Sequence, residues 1–185
     1  GYEPENTLRA FAAAKNLGAD GLELDIFLTK DGQVVVTHNQ NTLALTGHKL
    51  DVRRSTLVQL RALDFGKGEK IPLLDEVFDL CLQKFSVINV EIKSTGTTTD
   101  GIEVALAHIL RKWNCSDQIV VSSFNPINLM RVRRCLPQVR LGYLVCPEQP
   151  ILARNRLAIR ALNPYSVHID THMRLEPRFQ GFLDF

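Results

Sequence analysis

ADGLELDIFLTKDGQVVVTHN, residues Ala19–Asn39, is the stretch that decides the fold. Leucine and isoleucine alternate with other residue types along its first half, and this period of two predicts a β-strand with two distinct faces. Asp31-Gly32 is typical of a two-residue hairpin turn, in which both turn positions take positive φ. Valine-rich sequence follows the turn. The stretch therefore predicts a β-hairpin at residues 21–38.

The same hairpin predicts a cluster of polar side chains. A two-residue turn would set Asp25 opposite His38, with Cβ atoms about 5 Å apart, and Glu23 lies two residues earlier on the same face. Two dehydrated carboxylates repel each other, and a hard cation such as Mg²⁺ or Ca²⁺ removes that repulsion. A neighbouring histidine titrates near neutrality and can move a proton. The alternative is the solvated outer face of an edge hairpin, where these side chains only meet water.

Composition narrows the class of protein. With 185 residues, 45% of them hydrophobic, the chain is expected to form a single domain over residues 1–185. The net charge is +2, and the basic run at Arg131, Arg133 and Arg134 is predicted to be a solvated helix face, so no nucleic-acid partner is expected. No apolar run approaches the ~20 residues of a membrane span, so no transmembrane segment is expected. The sequence leaves the oligomeric state open.

The four cysteines point to a cellular setting. They stand far apart along the chain and match no C-x-x-C spacing. We expect reduced, half-buried thiols in a cytoplasmic protein, with two disulfides as the alternative.

The second half of the chain indicates the fold class. Phe85–Lys93 is a predicted strand, and from there strands alternate with helices at short spacing, which is typical of βαβ units and a parallel sheet. The prediction is an α/β fold of the TIM-type (β/α)₈ barrel kind. A complete barrel takes about 250 residues. This chain supplies four strand–helix units and the hairpin and does not begin with methionine, so we expect the barrel to be incomplete at both ends.

A third carboxylate completes the candidate site. The strand Phe85–Lys93 sets Glu91 and Lys93 on one face, near the carboxyl end where barrel active sites form. Glu91 can then join Glu23 and Asp25 around one Mg²⁺ or Ca²⁺, and Lys93 can hold a phosphate as a point charge. The alternative is an exposed pair of Glu91 with Lys93.

Other polar residues receive weaker assignments. Ser122, Ser123 and Phe124 follow another strand end and are predicted to form a pocket wall. His168 lies in a late predicted strand, and Asp170 and His172 near the end of that strand could border the pocket, but none of them is assigned as a ligand. His48 and His108 are predicted to be structural or solvated.

Six short motifs then resemble the glycerophosphodiester phosphodiesterase family, in the family's order. They are PENT at Pro4–Thr7, E-x-D-x-x-x-T-x-D-G at Glu23–Gly32, V-V-x-H at Val35–His38, I-P-x-L-x-E-V at Ile71–Val77, V-E-I-K at Val90–Lys93 and V-S-S-F-N-P at Val121–Pro126. A weaker match follows at Leu141–Leu144. One such motif has little specificity, whereas six in order are specific.

The resemblance implies a TIM-type barrel that hydrolyses small-molecule glycerophosphodiesters to glycerol 3-phosphate and an alcohol. It implies that Glu23, Asp25 and Glu91 are metal ligands, that His38 is one of two acid–base histidines, and that Lys93 contacts the phosphate. It also implies that two further residues border the metal site, namely Glu5 and Asn6. The mechanism implied is metal-assisted phosphoryl transfer with histidine acid–base catalysis.

The sequence also departs from the family pattern. An H-R-G motif, with the first histidine and an arginine, is expected just before PENT, and a W-T-V-N strand is expected late in the domain; neither is in this sequence. Asn39 stands where the family usually has aspartate. Two alternatives therefore stay open. One is a non-catalytic, phosphate-binding relative; the other is a phospholipase D-like enzyme acting on lysolipid or sphingolipid phosphodiesters, with Leu43, Leu45 and Leu50 as its apolar entry surface.

Overall fold

The central hairpin lies at one edge of a six-stranded sheet in the computed structural model, which describes residues 2–93, 96–150 and 156–170. The strands are β1 (Gly21–Leu28), β2 (Val34–Val36), β3 (Val87–Ile92), β4 (Ile119–Ser123), β5 (Arg140–Val145) and β6 (Ser166–Ile169). Their order is β2-β1-β3-β4-β5-β6, and all neighbours except β1 and β2 are parallel. The predicted α/β fold with a parallel sheet is confirmed. Within the described residues the sheet is open, as expected of an incomplete barrel.

Helices connect the parallel strands. They are α1 (Leu8–Asn16), α2 (Leu43–Thr46), α3 (Leu57–Arg61), α4 (Leu74–Cys81), α5 (Ile102–Trp113), α6 (Pro126–Cys135) and α7 (Arg156–Leu162), with 3₁₀ turns at Val52–Arg54 and Ser116–Gln118. Local sequence sets their starts: the Thr7 hydroxyl caps α1, and Asn125 caps α6, whose first residue is proline. The helix expected around Ile151–Ala161 corresponds to α7, while residues 151–155 lie outside the described part. No described helix has the length and apolar character needed to cross a membrane.

The two faces of the sheet differ as the period of two predicts. Leu24 and Ile26 of β1 and Val90 of β3 point into the main core, where they pack with the apolar sides of α4, α5 and α6. Asp25 and Glu91 point to the opposite face, which in a barrel is the interior. All four cysteines are free; two are buried and two are half-buried.

A second, smaller core covers the other side of the hairpin. Phe27 of β1 and Val35 of β2 pack there against side chains from the segment 50–73. The apolar members of this second core are Phe27, Val35, Val52, Leu60, Phe65 and Ile71. Strand β1 therefore lies between two cores and contributes side chains to both.

The hairpin turn differs from the prediction. Its loop has three residues, Lys30 to Gly32, closed by a hydrogen bond from the Thr29 amide to the Gln33 carbonyl oxygen (2.9 Å), and only Gly32 takes positive φ (+76°). The carboxylate of Asp31 holds the loop because it accepts hydrogen bonds from the Thr29 hydroxyl (2.6 Å) and from a helix α3 amide. The additional loop residue shifts the strand pairing by one position.

Candidate active site

Three carboxylates converge on one face of β1 and β3, at the level where β3 ends. Asp25 and Glu91 are direct partners in the parallel register, and Glu23 lies two residues before Asp25 on the same face. One oxygen from each residue lies within 4.8 Å of the other two. Asp25 and Glu91 are buried, with 2% and 8% of their surface exposed, whereas Glu23 is exposed. Three carboxylates at this spacing match the all-oxygen shell that Mg²⁺ and Ca²⁺ prefer.

Asn6 fixes the orientation of Asp25. Its amide nitrogen donates to Asp25 Oδ2 (3.0 Å), and its oxygen accepts from the Asp25 backbone amide (3.3 Å). Asn6 itself takes positive φ (55°), a conformation that asparagine adopts more readily than most residues. The loop before α1 therefore supports the site, with the neighbouring Glu5 close enough to Glu23 to raise the pKa of that carboxyl group.

Lys93 supplies positive charge to the same cluster. Its Nζ lies 3.4 Å from Asp25 Oδ1 and 3.2 Å from Glu91 Oε1. Burial alone would lower the pKa of Lys93, but the charges of Asp25 and Glu91 raise it above its ordinary value. Lys93 is therefore a cation near neutral pH, and its side chain remains partly accessible to solvent.

Charge crowding perturbs the carboxylates themselves. Partial desolvation and then the negative charges of Asp25 and Glu91 raise the pKa of Glu23 to about 7. Burial likewise raises the pKa of Glu91, although the positive charges of Lys93 and His38 oppose that rise. Both groups therefore resist ionisation when no further cation is present, because desolvation and nearby negative charge disfavour the charged form.

This crowding predicts a pH dependence of stability. For Glu23 the folded-state pKa of about 7 lies above the reference value of 4.5, so between these values the folded state holds more protons than the unfolded state. The free energy of unfolding of the metal-free protein is therefore expected to fall as the pH rises from 5 to 8. Urea unfolding at both pH values measures the change. Glu23→Gln should flatten the profile, and a wild-type stability that rises over this range would contradict the crowding.

His38 is not where the two-residue turn would place it. Because the loop is one residue longer, Thr37 rather than His38 faces Asp25, with the Thr37 amide donating to the Asp25 carbonyl oxygen (2.9 Å). His38 lies beyond the end of β2 and is exposed. Its charge nonetheless opposes the raised pKa of Glu91, so it lies within electrostatic range of the carboxylates. The predicted pairing was wrong, but the histidine still borders the cluster.

Polar atoms of the neighbouring strands surround the carboxylates. Among the described residues that pair with the three carboxylates, three have a buried side-chain oxygen that lacks a hydrogen-bond partner: Thr37 Oγ1, Asn89 Oδ1 and Ser122 Oγ. Asn89 pairs with Glu23, and Ser122 pairs with Glu91. Buried polar groups usually have partners, so these oxygens are suited to bound water or ligand. Ser122 was predicted to line the pocket, and strand alternation sets Asn89 on the face of Glu91, whereas the position of Thr37 depended on the unpredicted loop.

Other sequence assignments need correction. Ser123 points away from the barrel interior and donates to the Ile92 carbonyl oxygen (2.9 Å), so it forms no pocket wall. Arg131 is bonded rather than simply solvated: its guanidinium donates to the Thr97 carbonyl oxygen and contacts Glu103. His168 lies in β6, as predicted, with its Nε2 2.9 Å from the Ser166 hydroxyl oxygen, while His172 lies outside the described residues.

The apolar entry surface that the phospholipase D-like alternative requires is smaller than the sequence predicted. Leu45 and Leu50 pack against the second core, and Leu43 is the exposed member of the three, at 50%. A single exposed leucine is an ordinary surface feature and does not form a lipid-binding patch.

Acidic and basic groups at the carboxyl ends of parallel strands, with helices outside, are the arrangement of α/β barrel enzymes. Comparison with known proteins narrows this class. The family model for the glycerophosphoryl diester phosphodiesterase family matches residues 1–177. The chain therefore belongs to this family, as its motifs predicted, and the family identifies it as a phosphodiesterase-type hydrolase.

Individual relatives agree with the family assignment. A glycerophosphodiester phosphodiesterase from Caldanaerobacter subterraneus subsp. tengcongensis is 37% identical over 89% of this chain and 70% of its own length. A phosphodiesterase from Oleispira antarctica, solved in complex with sn-glycerol-3-phosphate, is 26% identical, with a TM-score of 0.78 over 90% of this chain and 69% of its own. A Galdieria sulphuraria structure gives a TM-score of 0.86 over 100% of this chain and 76% of its own at 23% identity, which supports the fold.

Proposed function

We propose that this protein hydrolyses glycerophosphodiesters to glycerol 3-phosphate and an alcohol, with the help of a divalent cation. The observation that carries the proposal is the convergence of three carboxylates and Lys93 at one edge of the sheet. Family membership supports the choice of a phosphodiester as the substrate.

The residues present fit a hard cation. Glu23, Asp25 and Glu91 offer oxygen ligands within a span of 4.8 Å, and the buried Thr37 and Ser122 hydroxyl oxygens nearby lack partners. These three carboxylates would hold the ion, with water or substrate oxygens completing its shell. A bound divalent cation neutralises charge that develops on phosphate oxygens. Both Mg²⁺ and Ca²⁺ suit this ligand set.

The chain's own residues orient the substrate and move a proton. Lys93 places a positive charge beside the carboxylates and attracts the phosphate to the same edge. His38, exposed at the border of the cluster, exchanges a proton with the nucleophile or the leaving alcohol. Asn6 keeps Asp25 in one orientation and thus preserves the spacing of the cluster.

The test is release of glycerol 3-phosphate from glycerophosphocholine, with Mg²⁺ or Ca²⁺ and then with EDTA. Release that depends on added metal and stops with EDTA is the expected result. Release that EDTA leaves unchanged would contradict the metal requirement, and phosphate-ester binding without release under either metal would favour the non-catalytic alternative.

His38→Ala is expected to lower kcat by about 10²- to 10⁴-fold, the usual contribution of a positioned acid–base group. Because His38 is exposed and lies outside β2, metal affinity and thermal stability should change little. Steady-state kinetics and a metal titration measure the two effects. His48→Ala is the matched control, since that histidine is also exposed and lies on the loop after α2. Equal activity in the wild type and His38→Ala would exclude the proposed role.

A further inference from the structure

Two buried hydroxyl groups flank the carboxylates on the interior face of the sheet. On one side, the Thr37 amide just after β2 donates to the Asp25 carbonyl oxygen of β1, so these two residues are neighbours. Asp25 pairs with Glu91 of β3, and Glu91 pairs with Ser122 of β4. One row across four neighbouring strands therefore reads hydroxyl, carboxylate, carboxylate, hydroxyl.

Strand alternation directs both hydroxyls towards the carboxylates. Val36, which precedes Thr37, belongs to the main core. Val121, which precedes Ser122, belongs to the same core. Successive side chains of an extended chain point to opposite faces, so Thr37 and Ser122 face the interior, where the three carboxylates lie.

Both hydroxyls are buried without a partner in the described part of the chain. Thr37 is 1% exposed and Ser122 is 0% exposed, and neither side-chain oxygen has a hydrogen-bond partner there. Asn89 Oδ1, beside Glu23 in the next row, shares this property. Each of these oxygens can accept a hydrogen bond, but an ionised carboxylate has no hydrogen to donate. The adjacent carboxylates therefore leave the accepting capacity of the row unused.

Water bound to a cation is the donor that fits this arrangement. Three carboxylates supply only part of the shell of a hard cation, and water supplies the rest. A cation-bound water turns its oxygen to the ion and its hydrogens outwards, so it needs acceptors around the shell. Thr37 offers such an acceptor on the β2 side of the carboxylates, and Ser122 offers one on the β4 side.

Acceptors in these positions distinguish one cation from another. Mg²⁺ holds a near-octahedral shell and keeps several of its waters, whereas Ca²⁺ takes six to eight oxygen ligands in a flexible geometry. Partners for bound water therefore add more to the affinity for Mg²⁺ than to the affinity for Ca²⁺. The carboxylates themselves suit both ions.

We propose that Thr37 Oγ1 and Ser122 Oγ accept hydrogen bonds from the water ligands of the cation and thereby favour Mg²⁺ over Ca²⁺. Both are positioning residues, because they act on the ion through its water. The inference rests on the proposed function, whose cation site it makes selective.

Isothermal titration calorimetry with Mg²⁺ and with Ca²⁺ tests the proposal on the full chain. Thr37→Val and Ser122→Ala each remove one oxygen, and each is expected to weaken Mg²⁺ binding by about tenfold, as loss of an outer partner of a metal ligand commonly does. Ca²⁺ binding should weaken by less than about threefold, because Ca²⁺ depends less on retained water. Thr37→Ser keeps the hydroxyl and should keep the wild-type preference for Mg²⁺.

Ser123→Ala is the matched control. Ser123 is the next residue of β4 and is also 0% exposed, but its hydroxyl donates to the Ile92 carbonyl oxygen (2.9 Å) on the other face. Its loss should lower the Tm and leave the ratio of the two Kd values unchanged. Ser122→Ala should do the reverse, since its oxygen has no partner in the described part of the metal-free protein.

The outcomes separate this inference from the proposed function. A wild type that binds neither ion contradicts the cation site itself. Mg²⁺ binding that Thr37→Val and Ser122→Ala leave unchanged contradicts only the role of the hydroxyls. Equal losses of Mg²⁺ and Ca²⁺ affinity would also overturn the proposal, because they would show an effect on the carboxylates rather than on bound water.

Discussion

Glu91→Gln is expected to lower kcat/KM for glycerol 3-phosphate release by about 10³-fold and to abolish measurable Mg²⁺ binding. Glutamine keeps the shape of the buried side chain but removes one of three negative charges that lie within 4.8 Å. Metal-assisted charge stabilisation contributes several kcal/mol, and each 1.36 kcal/mol corresponds to a factor of ten in rate. Isothermal titration calorimetry and steady-state kinetics measure the two effects.

The fold should tolerate this substitution. Glu91 carries an elevated pKa, so replacing it by a neutral group relieves crowding in the metal-free protein. Thermal stability without metal is therefore expected to be equal to or above that of the wild type. Asp117→Asn, which neutralises an exposed carboxylate before β4, serves as the charge-matched control and should bind metal normally. A Glu91→Gln protein that binds Mg²⁺ as tightly as the wild type would refute the three-carboxylate site.

Lys93→Met is expected to have opposite effects on metal binding and on activity. The Lys93 ammonium lies 3.4 Å from Asp25 and 3.2 Å from Glu91 and repels any cation bound there. Its removal should tighten Mg²⁺ binding by roughly tenfold, a modest effect for one charge in a partly exposed site. Loss of the phosphate contact should at the same time lower kcat/KM by about 10²-fold, since a charged hydrogen bond contributes 1.5–3 kcal/mol or so.

Lys93→Arg separates the charge from its geometry. Arginine retains the positive charge, so metal affinity should stay near the wild-type value, while its larger planar head group should restore only part of the activity. Titration calorimetry gives the affinities and glycerol 3-phosphate release gives the rates. Weaker metal binding in Lys93→Met than in the wild type would show that Lys93 supports the carboxylates rather than competing with a cation.

The convergence of the carboxylates could be predicted from the sequence because two regular features determine it. A period of two sets Glu23 and Asp25 on one face, and the parallel strand β3 brings Glu91 to the same edge. Asn6 was predicted to border the site only because of the family resemblance. Nothing in the local sequence pattern indicates that its side chain bonds to Asp25, nineteen residues later.

The turn and the basic helix face could not be predicted, because distant contacts determine both. Asp31 stays out of the positive φ region while its carboxylate accepts a hydrogen bond from the Leu57 amide, 26 residues away. Arg131 reaches a carbonyl group 34 residues earlier in the chain. Local propensity therefore favoured a tight turn in one case and a solvated helix face in the other, and tertiary contacts overrode both.

The position of β1 between two cores has a consequence for local opening of the structure. Amide hydrogen exchange follows cooperative units that open separately, and the segment 50–73 with its own core forms a natural candidate for one such unit. Opening of that segment uncovers Phe27 but leaves Leu24 and Ile26 packed in the main core. The strand that carries Glu23 and Asp25 would then keep its backbone pairing with β3. The distances between the carboxylates would therefore stay the same while the segment 50–73 is open.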